Sequence, residues 1–173
     1  MLQSPLDSVD LAILTELQRN AKLTNVELAS RVHLSPSPCL ARVRELEKAG
    51  IVKRYVALVD PQSMGLNVSV FIQISLDKQI ERSLDVFEKA VAGYPQVMEC
   101  YLMTGDADYM LRVIVPDVPA LQEFIVGGLA RIPGVSNIRS SFALKQVKYE
   151  TALPFTAAEP VRGKTKRRGE WKR

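Results

Sequence analysis

The stretch Thr24-Asn25-Val26-Glu27-Leu28-Ala29-Ser30-Arg31-Val32-His33-Leu34-Ser35-Pro36-Ser37-Pro38-Cys39-Leu40-Ala41-Arg42-Val43-Arg44 holds two helix starts separated by one tight break. Thr24 and Glu27 have capping-box spacing, in which the hydroxyl reaches forward and the carboxylate reaches back. Ser35-Pro36 marks a second start, with serine at the N-cap and proline at the first helical position. Pro38 still lies in the first turn, where a missing N–H does little harm. Residues 32–34 are too few for anything but a turn. His33 stands where φ is expected to be positive, which histidine tolerates better than a bulky branched residue does. Small Ala29 suits a close crossing. Two short helices joined this way form a helix-turn-helix over about residues 25–44, whose later helix is the DNA-reading one.

Upstream, Leu6, Val9, Ile13 and Leu17 recur at helical spacing with Ala12 beside them, and Asp7 or Ser8 can cap that helix. On the second helix Val26, Leu28, Ala29 and Val32 are read as the inner side. On the third, Leu40, Val43 and Leu46 are read as the core stripe, running to Gly50 as the residue past the cap. Residues 51–59 read as a strand, a wing that Asp60-Pro61 stops.

Downstream the period changes. Residues 68–76 are β-rich. Residues 81–92 are helical, with Leu84, Phe87, Ala90 and Val91 on one side. Two extended runs, 97–103 and 109–115, flank a polar turn at 104–108. Residues 119–132 are helical up to Pro133-Gly134, and 135–149 are long and mostly extended. The order β-α-β-β-α-β is the ferredoxin-like arrangement, one sheet with both helices on one face. The fold class is therefore α+β. A winged helix-turn-helix spans 1–60, a linker 61–67, a ferredoxin-like domain 68–153, and a basic tail, expected to be disordered, 154–173.

The 173 residues carry a formal charge of +4. Arg162, Lys164, Lys166, Arg167, Arg168, Lys172 and Arg173 crowd the last fourteen positions, so the remainder is close to neutral and net charge says little about nucleic acid. Cys39 and Cys100 stand apart in apolar surroundings and read as buried thiols. His33 is the only histidine, so a four-ligand zinc site is not expected, and no cofactor is implied. No apolar run approaches the ~20 residues that cross a bilayer. The first seven residues lack a signal-peptide pattern, making the cytoplasm the expected compartment.

Two constellations carry candidate chemistry. Asn25, Ser35, Ser37, Arg42, Arg44 and Arg54 are the candidate DNA contacts. Arginines on the third helix suit base edges or phosphates, and Lys53-Arg54 suit the backbone. An ordinary solvated helix face accounts for the same charges equally well. In the polar turn, N–H groups around Thr104-Gly105 could hold a carboxylate, and Asp106 or Asp108 could accept from an ammonium, as an amino acid's zwitterionic end requires. Glycine and aspartate are also simply turn residues. No nucleophile or phosphate loop accompanies them, and no enzymatic activity is expected.

The stretch Leu34 to Val52, with Asp10-Leu11-Ala12-Ile13-Leu14, resembles the helix-turn-helix of the Lrp/AsnC (feast/famine) transcription regulators. Glu99 to Tyr109 and Ile132-Pro133-Gly134-Val135 resemble that family's amino-acid-responsive domain. The resemblance covers about residues 6–154. It implies double-stranded operator DNA as partner, a small amino acid as effector, and homodimers that assemble into tetramers or octamers. It also implies an effector site between dimers beside 105–108. By the same carry-over Leu102, Asp108 and, further off, Val118 and Ala130 fall at effector-response positions, with Met103 counted among the binding residues. Three features depart from the family: His33 replaces a usual glycine, Ala130 is smaller than the leucine often found there, and the basic tail lies outside the common core. Residues 142–149 and 151–154 are similar to members controlling amino-acid catabolism, which brings branched-chain amino acids among the candidate effectors. The alternative is an architectural DNA-binding protein insensitive to amino acids.

Overall fold

The computed structural model describes residues 6–77 and 81–155, and the chain divides into two units. The first unit takes residues 6–58 and, after a long excursion, 148–155. The second takes the residues between. The basic tail falls outside the described residues from 156 onward.

Three helices build the first unit: α1 (Ser8–Arg19), α2 (Asn25–Arg31) and α3 (Pro36–Lys48). Asp7 caps α1. Its Oδ1 accepts from the amides of Val9 and Asp10 at 2.9 and 2.8 Å, and the Asp10 carboxylate accepts from the Asp7 amide. Thr24 and Glu27 form the expected reciprocal box on α2. Each such cap is worth about 1 kcal/mol. His33 has φ 56°, the only positive value at a non-glycine residue among those described, as the turn reading requires.

Ile13, Leu14, Leu28, Ala29, Val32, Cys39 and Leu46 form the core. Two expected core positions fall outside it. Val26 is 64% exposed, and Leu40 is exposed while Cys39 beside it is fully buried. At about 100° per residue, positions 39, 43 and 46 share one stripe and Leu40 stands a quarter turn away from it. The small apolar thiol fits where α3 meets its neighbours.

Residues 51–59 are not a strand. Within the described residues they join no ladder, and Val56, Leu58 and Val59 are exposed. Their β-branched composition suits a strand, but a strand exists only when its N–H and C=O groups find a partner. The segment is instead tied to α3: the Tyr55 hydroxyl donates to Glu47 Oε1 at 2.8 Å. Burial, followed by that carboxylate, pushes the Tyr55 phenol up to about 12.

The second unit is one antiparallel sheet of β1 (Val68–Leu76), β2 (Val97–Leu102), β3 (Tyr109–Val115) and β4 (Val135–Phe142), in the order β2-β3-β1-β4. Along β1 every second residue is buried, and Val70, Ile72 and Ile74 join Leu111 and Val113 in the core. The same cluster takes Phe87 and Val91 from α4 (Glu81–Ala92) and Leu121 from α5 (Val118–Glu123), so both helices cover one face. Helical turns continue past α5, as a π segment over Phe124–Gly128 and a 3₁₀ turn over Leu129–Arg131. The other face is mixed. Phe71 and Tyr101 are exposed there, beside an Arg112–Glu99 ion pair of 2.9 Å. The long extended run expected over 135–149 ends as a strand at Phe142, and Leu144 is 97% exposed. Cys100 is exposed rather than buried, because β2 is an edge strand. No helix among the described residues is long and apolar enough to cross a membrane. Among the same residues no group of three or more His, Cys, Asp or Glu could hold a metal ion.

Candidate DNA-binding and effector sites

The start of α3 is more selective than a generic helix terminus. Ser35 is its N-cap residue, but its hydroxyl makes no capping bond, and both Ser35 and Ser37 are exposed. Pro36 and Pro38 have no N–H, and the Cys39 amide donates to Ser35 O at 3.3 Å. The Ser37 amide and two hydroxyls are thus the donors of the first turn that face outward.

Arg42 and Arg44 part company. One Arg42 NH group donates to Asp7 Oδ2 at 2.7 Å and to Asp10 Oδ1 at 2.8 Å, locking α3 onto the first turn of α1. Donating to the Asp10 and Asp7 carboxylates holds the guanidinium even more firmly charged. Arg44 is exposed and makes no ion pair among the described residues. Asn25 is also engaged within the motif: its Nδ2 donates to Pro36 O at 2.8 Å, joining the starts of α2 and α3. Arg54 is exposed beside Lys53. Asp7 and Asp10 as clamps on Arg42 escape a reading of the sequence, since 35 and 32 residues separate the partners.

In the second unit the β2–β3 turn is fastened from inside. The Met103 amide donates to Asp108 O at 2.8 Å, and the Asp108 amide donates to Ile74 O at 2.9 Å. The Asp108 carboxylate is buried, and its Oδ2 accepts from the Leu76 amide at 2.6 Å. Leu76 lies where the β1–β4 register shifts, and the next amide, Asp77, donates to Gly134 O at 2.8 Å. The carboxylate therefore ties the turn to the end of β1 and, through it, to the entry of β4.

Outward, the turn is open. Leu102, Met103, Thr104, Gly105 and Asp106 are all exposed. Gly105 has φ 124°, a conformation that any side chain would strain. Ala130 is exposed in the 3₁₀ turn that leads to Gly134, at the same end of the sheet. Val118 is exposed but lies past the opposite end of β3, about 20 Å of strand away within one chain. Sequence reasoning also misses a surface hollow of about 420 Å³ between α4 and β2, rimmed by Leu102, Met98, Cys100 and Val91. In it the Tyr109 hydroxyl donates to Glu88 Oε1 at 2.8 Å. Burial, then Glu88, hold the Tyr109 phenol well above its usual range.

Comparison with known proteins agrees with both units. A model of winged helix-turn-helix DNA-binding domains matches residues 6–53, and a model of the Lrp/AsnC ligand binding domain matches residues 69–153. The Bkd operon transcriptional regulator of Pseudomonas aeruginosa is 46% identical over 150 residues, 87% of this chain and 98% of its own. The leucine-responsive regulatory protein of Escherichia coli is 39% identical over 86% of this chain and 90% of its own. Among solved structures, a transcriptional regulator of Neisseria meningitidis in complex with L-methionine superposes with a TM-score of 0.83 at 43% identity, covering 86% of this chain and 96% of that one. An AsnC family regulator of Agrobacterium tumefaciens gives 0.82 at 39%, over 86% and 97% of the two chains. The chain therefore belongs to the Lrp/AsnC family: it is a non-enzymatic transcription regulator that joins a helix-turn-helix DNA-binding domain to a ligand-binding domain.

Proposed function

We propose that this regulator binds operator DNA through α3 and that a small, largely apolar amino acid, bound at the β2–β3 turn, adjusts both its assembly and its operator affinity. The observation that carries the reading is the divided labour of the turn. A buried Asp108 fixes its shape, while Gly105, Asp106 and two apolar neighbours stay open. Amides around Thr104-Gly105 receive the ligand carboxylate, Asp106 accepts from its ammonium, and Leu102 and Met103 meet its side chain. The methionine held by the Neisseria relative supports an apolar amino acid as the ligand class.

On the DNA side, Arg44, the hydroxyls of Ser35 and Ser37, and Arg54 make the contacts, and Arg42 and Asn25 hold the motif in shape. Homodimers and higher assemblies form because, among the described residues, the backbone of 53–59 joins no ladder and the mixed sheet face around Phe71 and Tyr101 stays exposed. Val118 then joins an effector site only as a neighbouring chain's contribution.

A thermal-shift screen of the twenty amino acids tests the effector half. A ligand that binds only the folded protein raises its apparent stability, by about 2.7 kcal/mol at a hundredfold excess over Kd. Methionine, leucine, isoleucine or valine should raise the midpoint, and a response confined to charged amino acids, or no response at all, would refute the assignment.

A further inference from the structure

The chain that leaves α3 is pinned at two points, with two cations between them. Gly50 turns it at φ 72°, and the amides of Ile51 and Val52 both donate to Leu46 O, at 3.0 and 3.3 Å. Val52 packs against the core that contains Ile13, Leu28 and Leu46. Three residues on, the Tyr55 hydroxyl returns to Glu47 on α3. Among the described residues that is the one hydrogen bond tying residues 53–59 to the rest of the protein. The end of the described chain backs the segment. The Leu153 amide donates to Gln18 Oε1 on α1 at 2.7 Å, Phe155 packs against the same core, and both share the wall of a groove of about 630 Å³ with Tyr55. Lys53 and Arg54 stand between the two anchors, exposed and in no ion pair among the described residues. Glu47 takes the hydroxyl rather than either cation, so both charges stay available.

We propose that Tyr55 is a positioning residue for DNA binding: by pinning the chain to Glu47 it presents Lys53 and Arg54 together, as a preformed pair, to the phosphates beside the site that α3 reads. The proposal rests on the DNA-binding reading of the first unit and adds to it the residue that sets the backbone contact. Ordering a loose segment on binding costs conformational entropy, and a segment already ordered in the free protein is spared that loss. Without the hydroxyl, the next hydrogen-bonded residue after Val52 is Asp60, and all of 53–59 lies slack between them. Phosphate contacts carry no sequence information, so the pair adds affinity for any duplex and leaves discrimination to α3.

The test is a pair of mutant cycles on the full chain. Each variant is titrated, over a range of salt, with a duplex selected for tight binding and with a short duplex of unrelated sequence. Tyr55→Phe keeps the ring and removes only the hydroxyl. It should weaken both duplexes by about three- to tenfold and leave their ratio unchanged, because phosphate contacts act almost uniformly across sequences. Lys53→Gln with Arg54→Gln should shrink the slope of log K against log salt by about 2 per chain. In that double variant Tyr55→Phe should cost nothing further, since the hydroxyl acts only through the two cations. Glu47→Gln keeps an acceptor, so Tyr55→Phe should still weaken binding there, whereas in Glu47→Ala it should not. Circular dichroism of every variant should show the same folded content. Wild-type affinity of Tyr55→Phe for both duplexes would overturn the proposal while leaving α3 as the reader. So would a Tyr55→Phe loss of the same size with and without the two cations. If the wild type itself binds neither duplex, the DNA-binding reading falls and the proposal falls with it.

Discussion

On α3, Arg42 and Arg44 stand two residues apart, and on the β2–β3 turn so do Asp106 and Asp108. In each pair one member is consumed by the fold and the other faces outward. The reasons differ. On a helix, two positions are about 200° of rotation, so residues i and i+2 never share a face. Arg42 consequently meets α1 and Arg44 meets solvent. On the turn, Asp108 sits at the entry to β3, where its carboxylate takes the Leu76 amide at a register shift, while Asp106 is still on the open bend. Like charges at like spacing thus divide into a brace and an outward-facing group in both units, by helical rotation in one and by strand entry in the other.

The arginine pair should show the largest effect. Arg44→Ala removes an outward donor, and if that donor reads a base edge, operator discrimination falls by about 1–3 kcal/mol, roughly ten- to hundredfold. Arg42→Ala should cost the first unit up to about 1 kcal/mol of stability, since both acids stay partly solvated, and should change operator affinity much less. Gel-shift titration with thermal unfolding of both variants decides this. Lost operator affinity in Arg42→Ala at unchanged stability, with wild-type binding by Arg44→Ala, would reverse the roles.

The aspartates form the next contrast. Asp108→Ala leaves the Leu76 amide without its carboxylate partner and should destabilise the second unit by about 1–3 kcal/mol. Asp106→Asn, on an exposed bend, should stay within about 0.5 kcal/mol of wild type while weakening any amino-acid response. Chemical denaturation and calorimetry measure the two arms separately. Equal stability in both variants would show that the buried bond carries no weight.

Acidification should separate the two units by a smaller amount. The Asp10 amide, above all, holds the Asp7 carboxyl below the ordinary 3.8, with Arg42 adding to it. Arg31 lowers Glu16, and the Thr24 amide lowers Glu27. A carboxylate whose folded value is depressed stabilises the fold above its unfolded value, and that contribution is lost as pH falls through the folded value. The first unit should therefore loosen below about pH 4, and Asp7→Asn should flatten that limb in a far-ultraviolet dichroism titration. An identical acid limb in the variant would remove the cap from the explanation.

Distance along the chain decides which features are legible in the sequence. The capping boxes at Asp7–Asp10 and Thr24–Glu27, the Ser35-Pro36 start and the positive φ at His33 are local, and each is visible within four residues. The alternation of β1 is equally plain, and it carries the sheet with it. The braces are not visible, because Arg42 reaches back to Asp7 and Asp108 to Leu76 across more than thirty residues. Hydrophobicity favours Leu40 over Cys39 for the core, yet it cannot say which side of a helix meets α1 and α2. Residues 51–59 carry strand composition, but strand formation depends on a partner that the described residues do not supply. The return of Leu153 and Phe155 to α1 has no sequence signal at all.

Ligand-linked DNA binding tests the regulatory reading most directly. A duplex selected for tight binding is titrated with wild type and with Asp106→Asn, with and without methionine, leucine, isoleucine or valine. At least one of these should shift the apparent Kd of wild type by about fivefold or more, a coupling of about 1 kcal/mol, and the shift should vanish in Asp106→Asn. Tight duplex binding that is indifferent to every amino acid would contradict effector control and leave an architectural DNA-binding protein.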